Sequence, residues 1–121
     1  MCHWDGTAEI AGSRQQAKSM TLVEATYLAT QIFPKEELYG LTSQMRRSAI
    51  SIPSNISEGH GRNTDREFNH FLHMAPGSVS ELETQIELSI RLGYLDSSSS
   101  LPYQCNEIGK MVNGLINSLN L

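Results

Sequence analysis

A chain of 121 residues suffices for one domain with a modest core, and its ordinary mixture of apolar and charged side chains excludes wholesale disorder. Thirteen acidic against nine basic side chains leave a net charge of -4, so the field of the whole protein does not steer it to nucleic acid, and any such contact needs a local basic patch. Two cysteines, Cys2 and Cys105, with no Cys-x-x-Cys pair, exclude a disulfide framework and a cysteine-based zinc site and suit a reducing compartment.

Residues 1–13 contain no apolar run of the kind a signal peptide needs and are expected to form an extended or disordered tail before a domain over 14–121. No stretch approaches the ~18 apolar residues of a membrane span, so a cytoplasmic protein is expected. The first helical run extends from Gln15 to Phe33. Ala17, Met20, Val23, Tyr27 and Leu28 are expected to share its buried face, widened by Ala25, Ala29 and Ile32. Pro34 is expected to close this helix and open the next, because proline fits a first helical turn.

In the second run Leu38, Leu41, Met45, Ala49, Ile52 and Ile56 recur at spacings of three and four, which draws one continuous stripe on a helix. Pro53 lies inside it. Because Ile56 stays in register with Ile52, the helix is expected to bend at the proline and continue, stopping at Gly59 and Gly61. The third run has a capping box, Thr64-Asp65-Arg66-Glu67. Phe68, Leu72, Ala75, Val79, Leu82 and Ile86 follow, with a distortion expected at Pro76 and a late second stripe of Leu88, Leu92 and Leu95. After the linker Ser97–Ser100, Pro102 opens a fourth helix carrying Cys105, Ile108, Val112, Leu115 and Leu119. Four helices with short connections predict an all-α fold, an antiparallel up-down four-helix bundle.

The segment Leu41-Thr-Ser-Gln-Met-Arg-Arg-Ser-Ala-Ile-Ser-Ile-Pro-Ser-Asn-Ile-Ser-Glu-Gly-His-Gly-Arg62 is unusual, as is Phe71-Leu-His-Met-Ala-Pro-Gly-Ser-Val-Ser-Glu-Leu-Glu-Thr84. With Pro34-Lys-Glu-Glu37 and Leu92-Gly-Tyr-Leu95, they resemble the four-helix bundle proteins encoded in intervening sequences of bacterial large-subunit ribosomal RNA genes. That family is also labelled S23 ribosomal protein, and it is similar to the accessory variability protein of diversity-generating retroelements. The resemblance covers about Gln15 to Leu119. It implies a four-helix bundle and a homopentamer, and in the retroelement branch a basic surface for nucleic acid. This chain departs from that branch in being acidic.

Arg46, Arg47, Arg62 and Arg66 stand close in sequence around one helix connection, a pattern suited to phosphate oxygens of RNA or DNA; solvation or pairing with nearby glutamates is the competing reading. Ser51, Asn55, Glu58 and Arg62, at spacings of four, three and four, form one polar line, and Ser78, Glu81 and Gln85 another; these are expected to be structural networks setting helix register. Glu67-Phe-Asn-His70 is a single Glu-x-x-His element, and with His73 it lacks the further ligands that a di-iron or zinc site requires. Arg66 and His73, seven residues apart, resemble the Arg…His element of helical ribonucleases of the HEPN class, the one catalytic alternative. No P-loop, nucleophile elbow or dinucleotide fingerprint is present, so no metal or cofactor is expected. The sequence therefore predicts a non-enzymatic, homo-oligomeric scaffold or binding module with RNA, DNA or a protein as candidate partners.

Overall fold

The computed structural model describes residues 11–119; the expected tail lies mostly outside these, as do Cys2 and Trp4. Five helices follow in order: α1 Ser13–Thr30, α2 Leu41–His60, α3 Asp65–Leu72, α4 Ala75–Arg91 and α5 Leu101–Leu119. No strand occurs among the described residues. Helix α3 and helix α4 are the two halves of the expected third helix. Among the four long helices α1 packs on α2 and α5, and α4 packs on α2 and α5, so α1 lies diagonal to α4 and α2 to α5. This is an all-α, antiparallel up-down four-helix bundle.

Helix α2 carries the stripe that its sequence predicts. Leu41, Met45, Ala49, Ile52 and Ile56 are all buried, and the helix runs through Pro53 to His60. Pro53 has no N–H to offer the carbonyl of Ala49. Next to that gap, the Ser51 hydroxyl donates to the Ser48 carbonyl at 2.7 Å and the Asn55 amide donates to the Ser51 carbonyl at 2.8 Å. Side chains thus hold the backbone around the missing bond. Burial of Ile52 and Ile56, worth about 1.5–3 kcal/mol each, also offsets a proline penalty of ~3 kcal/mol.

Helix α1 corrects the expectation. Its buried positions are Ser19, Leu22, Thr26 and Thr30, whereas Ala17, Met20, Tyr27 and Leu28 are exposed, as is Ile32 just past the helix end. Burial of three hydroxyls is tolerated because each has a main-chain acceptor one turn back. Ser19 donates to the Gln15 carbonyl, Thr26 to Leu22 at 2.8 Å and Thr30 to Thr26 at 2.8 Å. A hydroxyl satisfied in this way no longer carries the full desolvation cost of an unpaired polar group. Val23, Ala25 and Ala29 pack at the edge of the core.

Pro34 does not open α2. It precedes a 3-10 turn, Lys35–Glu37, and leaves Leu38 and Tyr39 exposed. The helix begins only at Leu41, whose N–H donates to the Glu37 carboxylate at 3.1 Å. At the other end Gly61 is the C-cap, with ordinary right-handed φ of -77°. Gly59 is no stop signal. A Cβ there would lie 2.7 Å from Phe68 Cδ1 and 3.1 Å from the Phe68 carbonyl, so its missing side chain permits α2 and α3 to meet.

The capping box at α3 forms: Thr64 accepts from the Glu67 N–H at 3.1 Å, and Glu67 accepts from the Asn63 N–H at 3.3 Å. The ladder breaks at His73 and Met74, and Pro76 sits in the first turn of α4. Proline withholds its N–H from the residue four back, Leu72, which is where α3 ends. Leu88 and Leu92 are about half exposed, while Leu95 packs at the edge of the core. Gly12 caps α1 with φ of +88°, and a Cβ there would lie 3.0 Å from His60 Nε2. Here the start of α1, the end of α2 and Phe68 of α3 close one end of the bundle.

Candidate functional site

Helix α2 carries most of the candidate residues, and it separates the arginines. From Arg46 to the helix end at His60 the chain climbs about 20 Å at ~1.5 Å per residue. Arg46 and Arg47 therefore stand near one end of the bundle, and Arg62 and Arg66 near the other; the four do not form one patch. Arg46 stacks on the Tyr27 ring at 4.5 Å and its Nε donates to Thr30 at 2.9 Å, which ties α2 to α1. Arg62 lies over the Phe71 ring at 4.7 Å and pairs with Glu58. Arg47 is exposed and donates to the Ser43 hydroxyl at 3.3 Å. Arg66 is exposed, and neither it nor Arg47 has a carboxylate partner among the described residues.

The polar residues divide differently. Ser51, Asn55, Ser78 and Glu81 line one groove between α2 and α4, together with Ser48 and Gln85. Glu58 does not join them; it lines the neighbouring groove between α1 and α2 and is taken up by Arg62. Ser48, which the spacing argument passed over, bridges the helices by donating to Glu81 at 3.4 Å. It lies three residues before Ser51, and that spacing was the available signal. The Ser78 hydroxyl turns back to the Met74 carbonyl at 3.5 Å. Deeper, Ser89 on α4 donates to the Gln85 carbonyl at 2.8 Å and reaches Met45 Sδ of α2 at 3.3 Å. The Gln85 side-chain oxygen is buried with no hydrogen-bond partner among the described residues.

Two further grooves flank the bundle. Between α1 and α2, Tyr27, Leu38, Tyr39 and Ile50 form an apolar floor edged by Arg46 and Arg47. Between α4 and α5, Ile86, Ile90 and Pro102 lie beside Glu83, Glu87 and Arg91. His73 stands past the end of α3 with its ring Nδ1 2.9 Å from the Asn69 carbonyl. Arg66 is in the first turn of the same helix, and neither residue lines these grooves. Among the described residues no group of three or more His, Cys, Asp or Glu is placed to hold a metal ion. Cys105 is buried, and burial, helped by the Glu83 carboxylate, pushes its thiol up to about 12. That removes the thiolate a nucleophile needs. No helix among the described residues is long and apolar enough to cross a membrane.

The fold and its grooves define a four-helix bundle whose chemistry lies in exposed faces. The model of the 23S rRNA-intervening sequence protein family matches residues 14–114, and the chain belongs to that family. A crystal structure of a protein of unknown function from the S23 ribosomal protein family of Bacteroides thetaiotaomicron is similar. The two share 26% identity and a TM-score of 0.75, over 84% of this chain and 97% of that one. None of the curated proteins matches.

Proposed function

We propose that this protein is a non-enzymatic, self-associating scaffold or binding module of the cytoplasm, and that its working form is a homo-oligomer of the five-fold kind the family resemblance implies. The observation that carries this reading is the inverted character of α1. Ser19 and Thr26 are fully buried, while Met20 and Leu28 are 52% and 66% exposed. Covering a large apolar side chain contributes roughly 1.5–3 kcal/mol. A helix that buries three hydroxyls beside Leu22 and leaves Met20, Tyr27 and Leu28 outward holds that contribution in reserve for a second surface. Size exclusion coupled to light scattering at micromolar concentration tests it. An assembly of defined mass is expected, and a clean monomer overturns the reading.

A nucleic-acid partner is the second reading. It is supported by Arg47 and Arg66, which are exposed and lack carboxylate partners among the described residues. An oligomer repeats each of them and multiplies weak phosphate contacts. Mobility shifts with RNA and DNA across a salt series decide it. No binding at low salt, or binding untouched by replacing both arginines, defeats it.

A further inference from the structure

We propose that the polar groove between α2 and α4 binds a small zwitterion, a free α-amino acid, with its ammonium at Glu81 on the α4 wall and its carboxylate at Arg47 on the α2 rim. The inference does not depend on self-association. The groove has a volume of about 530 Å³, within the range of small-molecule sites. Met74 is the one apolar side chain among the described residues that line it. A groove so lined holds its occupant by hydrogen bonds and charge, not by apolar burial. Arg47 and Glu81 stand at one level of it, on opposite walls, because Ser48, next to Arg47 in α2, reaches Glu81 at 3.4 Å. Both are exposed, and neither has an ion-pair partner among the described residues. Arg47 has only the neutral Ser43 hydroxyl, at 3.3 Å. A polyanion in this groove would meet Glu81, and a polycation would meet Arg47. An occupant that carries both signs on one short skeleton complements both walls.

The hydrogen-bonding inventory gives the orientation. The hydroxyl protons of Ser48, Ser51 and Ser78 are committed within the fold, to Glu81, the Ser48 carbonyl and the Met74 carbonyl. The Asn55 amide is committed to the Ser51 carbonyl. What these walls have to spare is acceptors. Glu81 and Gln85, one turn apart on α4, share a wall. The Gln85 oxygen has no partner among the described residues, and its side chain is only part-buried, so the amide can turn that oxygen into the groove. With the Ser48 hydroxyl oxygen they offer three acceptors beside one negative charge, which suits the three N–H bonds of an ammonium. The carboxylate of the same ligand then takes the guanidinium of Arg47. Further along α2, Ser51 and the free oxygen of Asn55 lie where the ligand's side chain would run. That end favours a neutral polar side chain with a donor of its own.

Isothermal titration calorimetry of the full chain with single L-amino acids at millimolar concentration tests the site. Saturable binding is expected for those with a neutral polar side chain, L-glutamine first. The amine and acid analogues of L-glutamine, each lacking one charged group, should bind at least about tenfold more weakly. Arg47→Ala and Glu81→Gln should each weaken L-glutamine about tenfold or more. Each variant should also erase one preference, Arg47→Ala that over the amine analogue and Glu81→Gln that over the acid analogue. A merely structural role would leave both preferences in place. Both positions are exposed, and glutamine at 81 keeps an oxygen for Ser48; far-UV circular dichroism and light scattering check that fold and mass are unchanged. Absence of saturable heat with every L-amino acid would mean that the groove holds water only and would overturn the site. Binding untouched by both variants, or analogues that bind as tightly as L-glutamine, would overturn it too.

Discussion

The phenol of Tyr94 donates a hydrogen bond to Glu37 Oε2 at 3.1 Å, while the other oxygen of the same carboxylate accepts the Leu41 N–H at 3.1 Å. One side chain thus starts α2 and fastens the α4–α5 connection to it. The negative carboxylate hydrogen-bonded to Tyr94 raises that phenol's pKa, since ionising it would lose the bond and set two negative charges together. Glu37→Ala is expected to cost about 1–2 kcal/mol, the typical loss of an N-terminal helix cap. Tyr94→Phe removes one hydrogen bond and should cost about 0.5–1.5 kcal/mol. Urea unfolding of the two single variants and the double measures both. Glu37→Ala already removes the Tyr94 bond, so costs that simply add would show that this bond contributes nothing to stability.

Gly59→Ala is expected to destabilise by about 1–3 kcal/mol, the usual cost of overpacking a tight contact. The new Cβ would meet the Phe68 ring and its carbonyl, and a carbonyl cannot rotate away. A denaturation midpoint unchanged from the parent would show that α3 shifts freely.

Arg46 and Arg47 should behave differently despite being neighbours. Arg46→Ala removes a ring contact and a hydrogen bond to α1, so a stability loss of about 1–2 kcal/mol is expected. Arg47→Ala should stay within ~0.5 kcal/mol, as exposed substitutions usually do. If RNA is bound, Arg47→Ala and Arg66→Ala should each reduce the salt slope by roughly one. Thermal melts and salt-dependent titrations separate the two effects.

Cys105 gives a pH prediction. Its thiol pKa is raised from 9.0 to about 12 by burial, so the folded state holds the proton that the unfolded state releases. The stability contribution is therefore whole below pH 9 and is lost as pH rises from there towards about 12. In a Cys2→Ser protein, iodoacetamide at pH 8 should modify Cys105 only after denaturant is added. Rapid labelling of the folded protein would contradict this.

Elements written in apolar residues were legible in the sequence. The α2 stripe, the Thr64 capping box and the break at Pro76 each leave a local signature, because the residues that make them are neighbours in the chain. Helix α1 was legible as a helix, but the residues at the centre of its buried face were not. Its inward face is built from Ser19, Thr26 and Thr30, whose hydroxyls are satisfied by carbonyls one turn back. A count of apolar positions reads such a face as solvent-exposed and assigns the core to the opposite side. The arginines show the converse difficulty. Closeness in sequence is not closeness in space when α2 runs between the two pairs, and the partners of Arg46 lie on another helix. In the polar groove, spacing alone places Ser51 with Asn55 and Ser78 with Glu81. Glu58 pairs with Arg62 one turn on, as their spacing of four residues allows, and so leaves the groove.

Helix α2 alone packs against α1, α3, α4 and the 3-10 turn. It cannot detach without unfastening each of them, so its opening is equivalent to loss of the whole domain. Its amide protons should therefore exchange with solvent most slowly of all, at the rate set by global unfolding. Pro53 sits near the middle of this helix. The chain has its missing main-chain bond in the element with the least freedom to fray.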